Sequence, residues 1–268
     1  MQLKPVILGD LEQIRNLRPE GWPDIVPAFQ FYIRSAFCQP FKVEKNGKII
    51  GVSALMAFYD TCWIGHMIVD ENFRSQGIGY KILGEVLKIV RKKAFKTCLL
   101  IASELGRPMY LKAGFRDVTE YVFLQKERPW TGTHEVTHNI NTLHEHHISQ
   151  IYQLDRRVSG EKRERLLADH LNNSRVYSKN GKFGGFYLPE LKEGLIIAET
   201  EEAGTKLMEL KYSQADKAVL PSDNIAGINY LEERGFVKSD IKGTRMILGK
   251  DIRWQPAKLY SRIGGNFG

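Results

Sequence analysis

The chain has 268 residues, 43% hydrophobic and 26% charged, a balance that suits one large or two ordinary globular domains and argues against disorder. A formal charge of +8 and a pI near 9.3 favour anionic partners, yet no nucleic-acid motif accompanies them, so nucleic acid is not expected as a partner. Cys38, Cys62 and Cys98 are odd in number without Cys-x-x-Cys spacing, and no apolar run nears the ~20 residues of a membrane span, so a soluble, cytoplasmic, disulfide-free protein is expected. The opening Met1-Gln2-Leu3-Lys4-Pro5 carries no basic-then-apolar leader.

In chain order, Asp10 is placed to cap a helix running to about Leu17, and a second helix is expected from Pro23 to Arg34. Phe41–Lys45 and Lys48–Ala57 read as strands joined by Asn46-Gly47, the pair that supplies positive φ in a type I′ hairpin turn. Cys62–Val69 makes a third strand. After a glycine loop, Ile82, Leu83, Val86, Leu87 and Val90 follow helical spacing, with Lys81, Glu85, Lys88, Arg91 and Lys92 opposite. Thr97–Ala102 reads as a buried strand, Pro108–Lys112 as a short helix and Tyr121–Gln125 as a final strand, so residues 1–127 are expected to complete one mixed α/β unit.

Within that unit the stretch Ile64-Gly65-His66-Met67-Ile68-Val69-Asp70 leads through a polar turn into Arg74-Ser75-Gln76-Gly77-Ile78-Gly79. Two glycines allow close backbone approach to an anion, and the free amides and positive dipole end of the following helix suit phosphate oxygens. The Walker pattern requires Lys-Ser/Thr after the last glycine, where Tyr80-Lys81 stands, and the dinucleotide fingerprint requires a third Gly or Ala in register that is absent. A strand ending in Val-Asp followed by Arg-x-x-Gly-x-Gly resembles the acetyl-CoA loop of the GNAT superfamily of N-acetyltransferases.

The resemblance implies an α/β fold with a mixed (α+β) sheet and acetyl-CoA as cosubstrate, with no metal. By this resemblance Arg74, Ser75, Gln76, Gly77, Ile78 and Gly79 take the pyrophosphate and the backbone of Met67, Ile68 and Val69 pairs with the pantetheine arm. Tyr110, four positions before Gly114 in Tyr110-Leu111-Lys112-Ala113-Gly114-Phe115, matches the family's acid that protonates the departing thiolate; an ordinary pKa of ~10 keeps a phenol protonated at neutral pH. The family's Asn before that helix is missing from Ser103-Glu104-Leu105-Gly106-Arg107-Pro108, where Ser103 or Arg107 stands in.

For the base, His66, Asp60 and Glu104 are candidates, with water as a fourth route. Trp22, Asp24, Phe29 and Tyr32 fall in the segment that walls the acceptor site in many GNAT proteins, and their aromatic-plus-carboxylate chemistry suits a cationic amine.

A second unit repeats the plan. Asn46-Gly47 is echoed by Asn180-Gly181 and Lys112-Ala113-Gly114-Phe115 by Glu233-Arg234-Gly235-Phe236, but the interval is shorter and no Arg-x-x-Gly-x-Gly survives. Glu201 and Glu202 at the corresponding helix start would repel pyrophosphate. Leu154-Asp155-Arg156 with Gly160 and Arg163 resembles a segment of a tandem GNAT group with a divergent second half, which assigns Asp155 and Arg156 to the interface or the substrate. His134, His138, His144, His146 and His147 cluster between the halves without a completing ligand pattern, so no metal is expected.

The expected organisation is therefore two tandem GNAT-like domains, the second degenerate: residues 1–127 catalytic, 128–138 a linker and 139–268 divergent. The function implied is direct acetyl transfer to a primary amine, a small molecule before a protein, with one acetyl-CoA per chain. The alternative is a noncatalytic acyl-CoA sensor or scaffold. Neither the acceptor nor the oligomeric state is legible.

Overall fold

The computed structural model describes residues 2–130 and 139–268; His134, His138 and most of the expected linker lie outside them. The first half runs β1 (Lys4–Pro5), α1 (Leu11–Arg15), α2 (Val26–Arg34), β2 (Cys38–Lys45), β3 (Lys48–Ala57), β4 (Thr61–Val69), α3 (Ile78–Lys92), β5 (Thr97–Ser103), α4 (Arg107–Lys112) and β6 (Arg116–Lys126). The second continues with β7 (Ile140–Thr142), α5 (Glu145–Ser159), α6 (Glu164–Ala168), β8 (Arg175–Lys179), β9 (Lys182–Leu188), β10 (Leu195–Ala198), α7 (Glu201–Tyr212), β11 (Lys217–Pro221), α8 (Ile225–Glu232), β12 (Phe236–Gly249) and β13 (Leu259–Ser261).

Both halves carry the Asn-Gly hairpin, with φ of +51° and +78° at Asn46 and Gly47 and +53° and +72° at Asn180 and Gly181, the left-handed pair of a type I′ turn. Gly114 and Gly235 share a φ of +93°, so the short helices before β6 and β12 also end alike. The repeat visible in the sequence is thus a repeat of backbone conformation. Asp10 differs from expectation: instead of capping α1 it is buried, receives Ile7 N–H at 2.8 Å and pairs with Lys42 Nζ at 2.6 Å.

The strands form an 8-stranded sheet in the order β1-β2-β3-β4-β5-β12-β6-β11 and a 5-stranded sheet in the order β13-β10-β9-β8-β7. The halves therefore exchange strands. β12 enters between β5 and β6, pairing Arg245 with Ile101 on one side and Thr119 on the other, while β6 pairs with β11 from Lys217↔Gln125 to Pro221↔Tyr121. Residues 1–127, expected to complete a unit, form a sheet that takes a central strand from the second half. β6 starts at Arg116 rather than Tyr121 because β12 supplies a partner for the polar run Arg116–Glu120, which has no apolar alternation of its own.

Ile82, Leu83, Val86, Leu87 and Val90 of α3 are buried on one sheet face with Leu55, Cys62, Ile64 and Leu100, each large side chain contributing about 1.5–3 kcal/mol of apolar burial. The opposite face packs Phe29 and Tyr32 of α2 together with Ile151, Leu154 and Val158 of α5 in one core shared by both halves.

Candidate active site

β4 and β5 are parallel partners only at Thr61↔Thr97, Cys62↔Cys98 and Trp63↔Leu99, and beyond Trp63 they diverge. On its other side β4 carries a bulge: Val52 of β3 pairs with Ile68 but Ala54 pairs with Gly65, an extra residue accommodated by His66 in the left-handed region, φ +48°. Met67 and Val69 are half-buried and Ile68 is buried, so this stretch holds its side chains in the protein while its edge opens on a wedge.

At the wide end of the wedge, the Asp70 carboxylate receives Asn72 N–H at 3.0 Å and pairs with Lys48 at 2.8 Å, which together hold its pKa below the usual range. Ser75 (φ +60°) and Gly77 (φ +73°) turn the chain, and Gly77 caps α3. Among the described residues the amides of residues 75–80 donate to no protein oxygen, which leaves a concave run of donors at the positive end of a 15-residue helix. Arg74 is exposed and anchored by Nε to the Val69 carbonyl at 3.2 Å, and Gln76 Nε2 donates to the Asn72 carbonyl at 3.3 Å. A Cβ on Gly79 would lie 3.3 Å from Met109 Sδ, so glycine there lets α4 close on the loop. This donor set fits a pyrophosphate.

Across the wedge, Tyr110 of α4 is buried, edge-on to Phe115 with ring centroids 5.8 Å apart. Burial, with Cys98 nearby, pushes its phenol above 10, and among the described residues its hydroxyl has no hydrogen-bond partner. Ser103 Oγ accepts Gly106 N–H at 3.3 Å at the end of β5, whereas the Arg107 side chain is engaged by Asp117. Glu104 is exposed and 4.0 Å from Lys242. Asp60 pairs with Lys96 at 3.2 Å before the first residue of β4; with a rise of about 3.3 Å per residue, it lies roughly 20 Å from His66 along the strand.

His66 meets α2. Its Nδ1 is 2.8 Å from Tyr32 Oη, its ring stands edge-on to Phe29 at 5.6 Å and Trp22 at 6.3 Å, and burial, with a smaller contribution from Lys192, lowers its pKa to about 4. Of the expected acceptor wall, Trp22 is 43% exposed, while Phe29 and the Tyr32 ring belong to the core. Asp24 is committed elsewhere: Oδ1 receives Val26 N–H at 3.0 Å and Oδ2 meets Arg15 at 3.2 Å.

The second half supplies Glu161, Arg245 and Asn266, which the sequence did not single out. Glu161 is buried and accepts Thr61 Oγ1 at 2.8 Å and Trp63 Nε1 at 2.9 Å, pinning β4, with Arg245 at 3.9 Å stacked between Trp63 and Trp254. Arg163 forks onto Asp155 and donates to the Phe267 carbonyl at 3.2 Å. Asn266 donates to Tyr32 Oη. Asp155 is thus buried against Arg163 within the second half, while Arg156 is exposed. His147 is used locally, its Nδ1 accepting the His144 amide at 3.2 Å at the start of α5.

The equivalent opening of the second half is filled. β10 pairs with β13 through Ile196↔Ser261 and Ile197↔Leu259, the Tyr260 ring lies where a Cβ on Gly204 would sit (2.2 Å), and Asn224 at the head of α8 donates to the Leu259 carbonyl at 2.9 Å.

Residues 37–117, which hold the bulged strand, the amide loop and Tyr110, match the family model of the acetyltransferase (GNAT) domain. The chain carries a GNAT domain. Its whole fold is similar to a candidate acetyltransferase from Pyrococcus horikoshii, with a TM-score of 0.83 at 18% identity over 100% of this chain and 95% of that one. It is also similar to a GCN5-related N-acetyltransferase from Sphaerobacter thermophilus (TM-score 0.64, 12% identity, 94% and 98% covered) and to a tandem GNAT protein from the clavulanic acid biosynthesis pathway (0.62, 13%, 93% and 99%). At these identities the likeness is one of fold, and the fold is two GNAT-like domains in tandem. No match was found among curated proteins. Among the described residues no helix is long and apolar enough to cross a membrane.

Proposed function

We propose that the protein is an acetyl-CoA-dependent N-acetyltransferase that moves an acetyl group directly to a primary amine of a small molecule. The observation that carries this reading is the run of amides at residues 75–80 that, among the described residues, donate to no protein oxygen and open onto the edge of β4 that diverges from β5. Arg74, Ser75, Gln76, Gly77, Ile78 and Gly79 hold the pyrophosphate, and Met67, Ile68 and Val69 offer backbone groups to the pantetheine arm, with Ser103 beside it. Acetyl-CoA, when bound, supplies the thioester. Tyr110 keeps a proton available for the departing sulfur, since burial holds its phenol protonated well into the alkaline range.

Residues 1–127 hold this machinery in chain order and residues 139–268 complete it. The second opening, closed by β13, supports one acetyl-CoA per chain. Of the expected acceptor wall Trp22 faces the opening, with Phe29 and Tyr32 behind it in the core; Asp24, already paired with Arg15, offers little to a cationic substrate. Cys38, Cys62 and Cys98 are free and buried, which suits a reducing compartment such as the cytoplasm.

The test is thiol release from acetyl-CoA across a panel of polyamines, amino acids, aminoglycosides and peptide N-termini, with coenzyme A affinity measured in parallel. Turnover on at least one amine is expected. Tight binding without turnover on any amine would instead make the protein an acyl-CoA sensor, and failure to bind coenzyme A would sink both readings.

A further inference from the structure

Tyr32 Oη lies between two polar neighbours. Asn266 Nδ2 donates to it, and His66 Nδ1 lies 2.8 Å away. A phenol oxygen carries one proton, and with an N–H arriving from Asn266 that proton is free to point at His66. Nδ1 is then the acceptor, and a neutral imidazole whose Nδ1 accepts carries its own proton on Nε2. Both rings are neutral at physiological pH, because burial raises the phenol well above its ordinary value and lowers the imidazole to about 4. The titratable neighbours on this side are Cys38, whose thiol burial pushes up to about 12, and the Lys192 ammonium, which disfavours a second positive charge on the ring.

The segment bearing Asn266 is held tightly. Ile263 N–H donates to the Gly268 carbonyl at 2.8 Å, the Phe267 N–H to the Gly264 carbonyl at 3.2 Å, and the Phe267 ring is fully buried. A Cβ on Gly65 would lie 2.7 Å from Asn266 Cβ, so the absence of a side chain at Gly65 is what admits Asn266. Among the described residues His66 Nε2 has no protein partner, and His66 is the bulged residue of β4, three positions past the last pair with β5.

We propose that Asn266 is a positioning residue that acts through Tyr32 to hold His66 as its Nε2–H tautomer, so that His66 serves as a hydrogen-bond donor to a substrate oxygen and not as the base. This rests on the N-acetyltransferase reading for the substrate's identity but not for the tautomer, which is a property of the free protein. The amine's proton then leaves by water rather than through His66.

The test is a histidine-15N spectrum of the free protein at pH 7, with His66 assigned by its loss in His66→Gln. The expected result is a protonated Nε2 and an unprotonated Nδ1. In Asn266→Asp a carboxylate accepts the phenol proton, the phenol oxygen turns acceptor, and the tautomer reverses. A wild-type His66 protonated at Nδ1, which needs no variant to observe, overturns the proposal, as does an Asn266→Asp spectrum from folded protein with the tautomer unchanged. Kinetically, His66→Ala lowers kcat about a hundredfold and His66→Gln, which keeps an N–H donor, recovers at least tenfold of that. An acidic limb of kcat/KM that vanishes in His66→Gln would restore the base role and overturn the proposal. If no amine is acetylated, the functional reading fails while the spectrum still decides the tautomer.

Discussion

Tyr110→Phe separates chemistry from packing at one atom. The hydroxyl has no hydrogen-bond partner among the described residues, so its removal orphans no donor or acceptor, and the ring keeps its contact with Phe115 at 5.8 Å. The expected change in stability is therefore within about 1 kcal/mol. The expected change in rate is larger: a positioned general acid contributes roughly 10²–10⁴-fold, or about 3–5 kcal/mol of barrier. The coenzyme A affinity should hold, because the amide run at residues 75–80 does not depend on the phenol.

The assay is steady-state thiol release with an accepted amine, together with calorimetric coenzyme A titration and a thermal melt. The pH dependence has a fixed sign. Burial raises the Tyr110 pKa, so the acid stays protonated up to and beyond pH 10 and produces no alkaline limb below that value. A kcat within threefold of wild type would refute the acid assignment, and an alkaline limb near pH 8 that disappears in Tyr110→Phe would refute the electrostatic argument.

Calorimetry should return one coenzyme A per chain, and a stoichiometry of two would show that β13 does not close the second opening. Gly77→Glu is expected to lower coenzyme A affinity at least tenfold by placing a carboxylate among the amides, while Gly77→Asn, which tolerates a φ of +73°, should bind within a few fold of wild type; equal losses in both would point to backbone strain instead. Glu161→Ala leaves the Thr61 hydroxyl and the Trp63 indole N–H buried without their acceptor and should destabilise the protein by roughly 1–3 kcal/mol per orphaned donor in chemical denaturation, more than Glu161→Gln, which can still accept from both. If the two variants are equally stable, Glu161 does not staple the halves.

The glycine loop was legible because its pattern is local: a strand, two glycines and a helix start lie within a few residues of one another, and Asn46-Gly47 and Gly114 announce their conformations by residue type. What was hidden depends on distant pairing. Nothing in Phe236–Gly249 itself marks the partners of β12, and only its register against both Ile101 and Thr119 shows that it belongs to the sheet of the first half. Asp24 reads as an acceptor-site carboxylate until Arg15 is found against it, and nothing in Gly264-Gly265-Asn266 marks an amide that reaches Tyr32 across the protein. Glu161 lies in a mixed-charge run that looks like a solvated helix face. Its burial follows from the segment after α5 reaching Thr61 and Trp63 of β4, which no single-segment pattern encodes.

The strand exchange also accounts for a second half that has lost its own opening. β13 lies along β10 where the first half leaves β4 unpaired, and Asn224 at the head of α8 bonds β13 at a place where the first half offers only Ser103. The chain that leaves β13 then continues to Asn266 and Phe267 against α2. Closing one opening thus delivers residues to the other, and β12 and Glu161 brace the sheet that carries the bulge. A second half whose remaining contribution was passive solubility would need none of these contacts. On this arrangement, loosening β13 by Gly204→Val, which drives a side chain into the Tyr260 ring, should disturb the first half's acceptor side through Asn266 while leaving the amide run intact. The readout is a His66 resonance that shifts with coenzyme A affinity held within a few fold; an unmoved His66 in folded protein would disconnect the two openings.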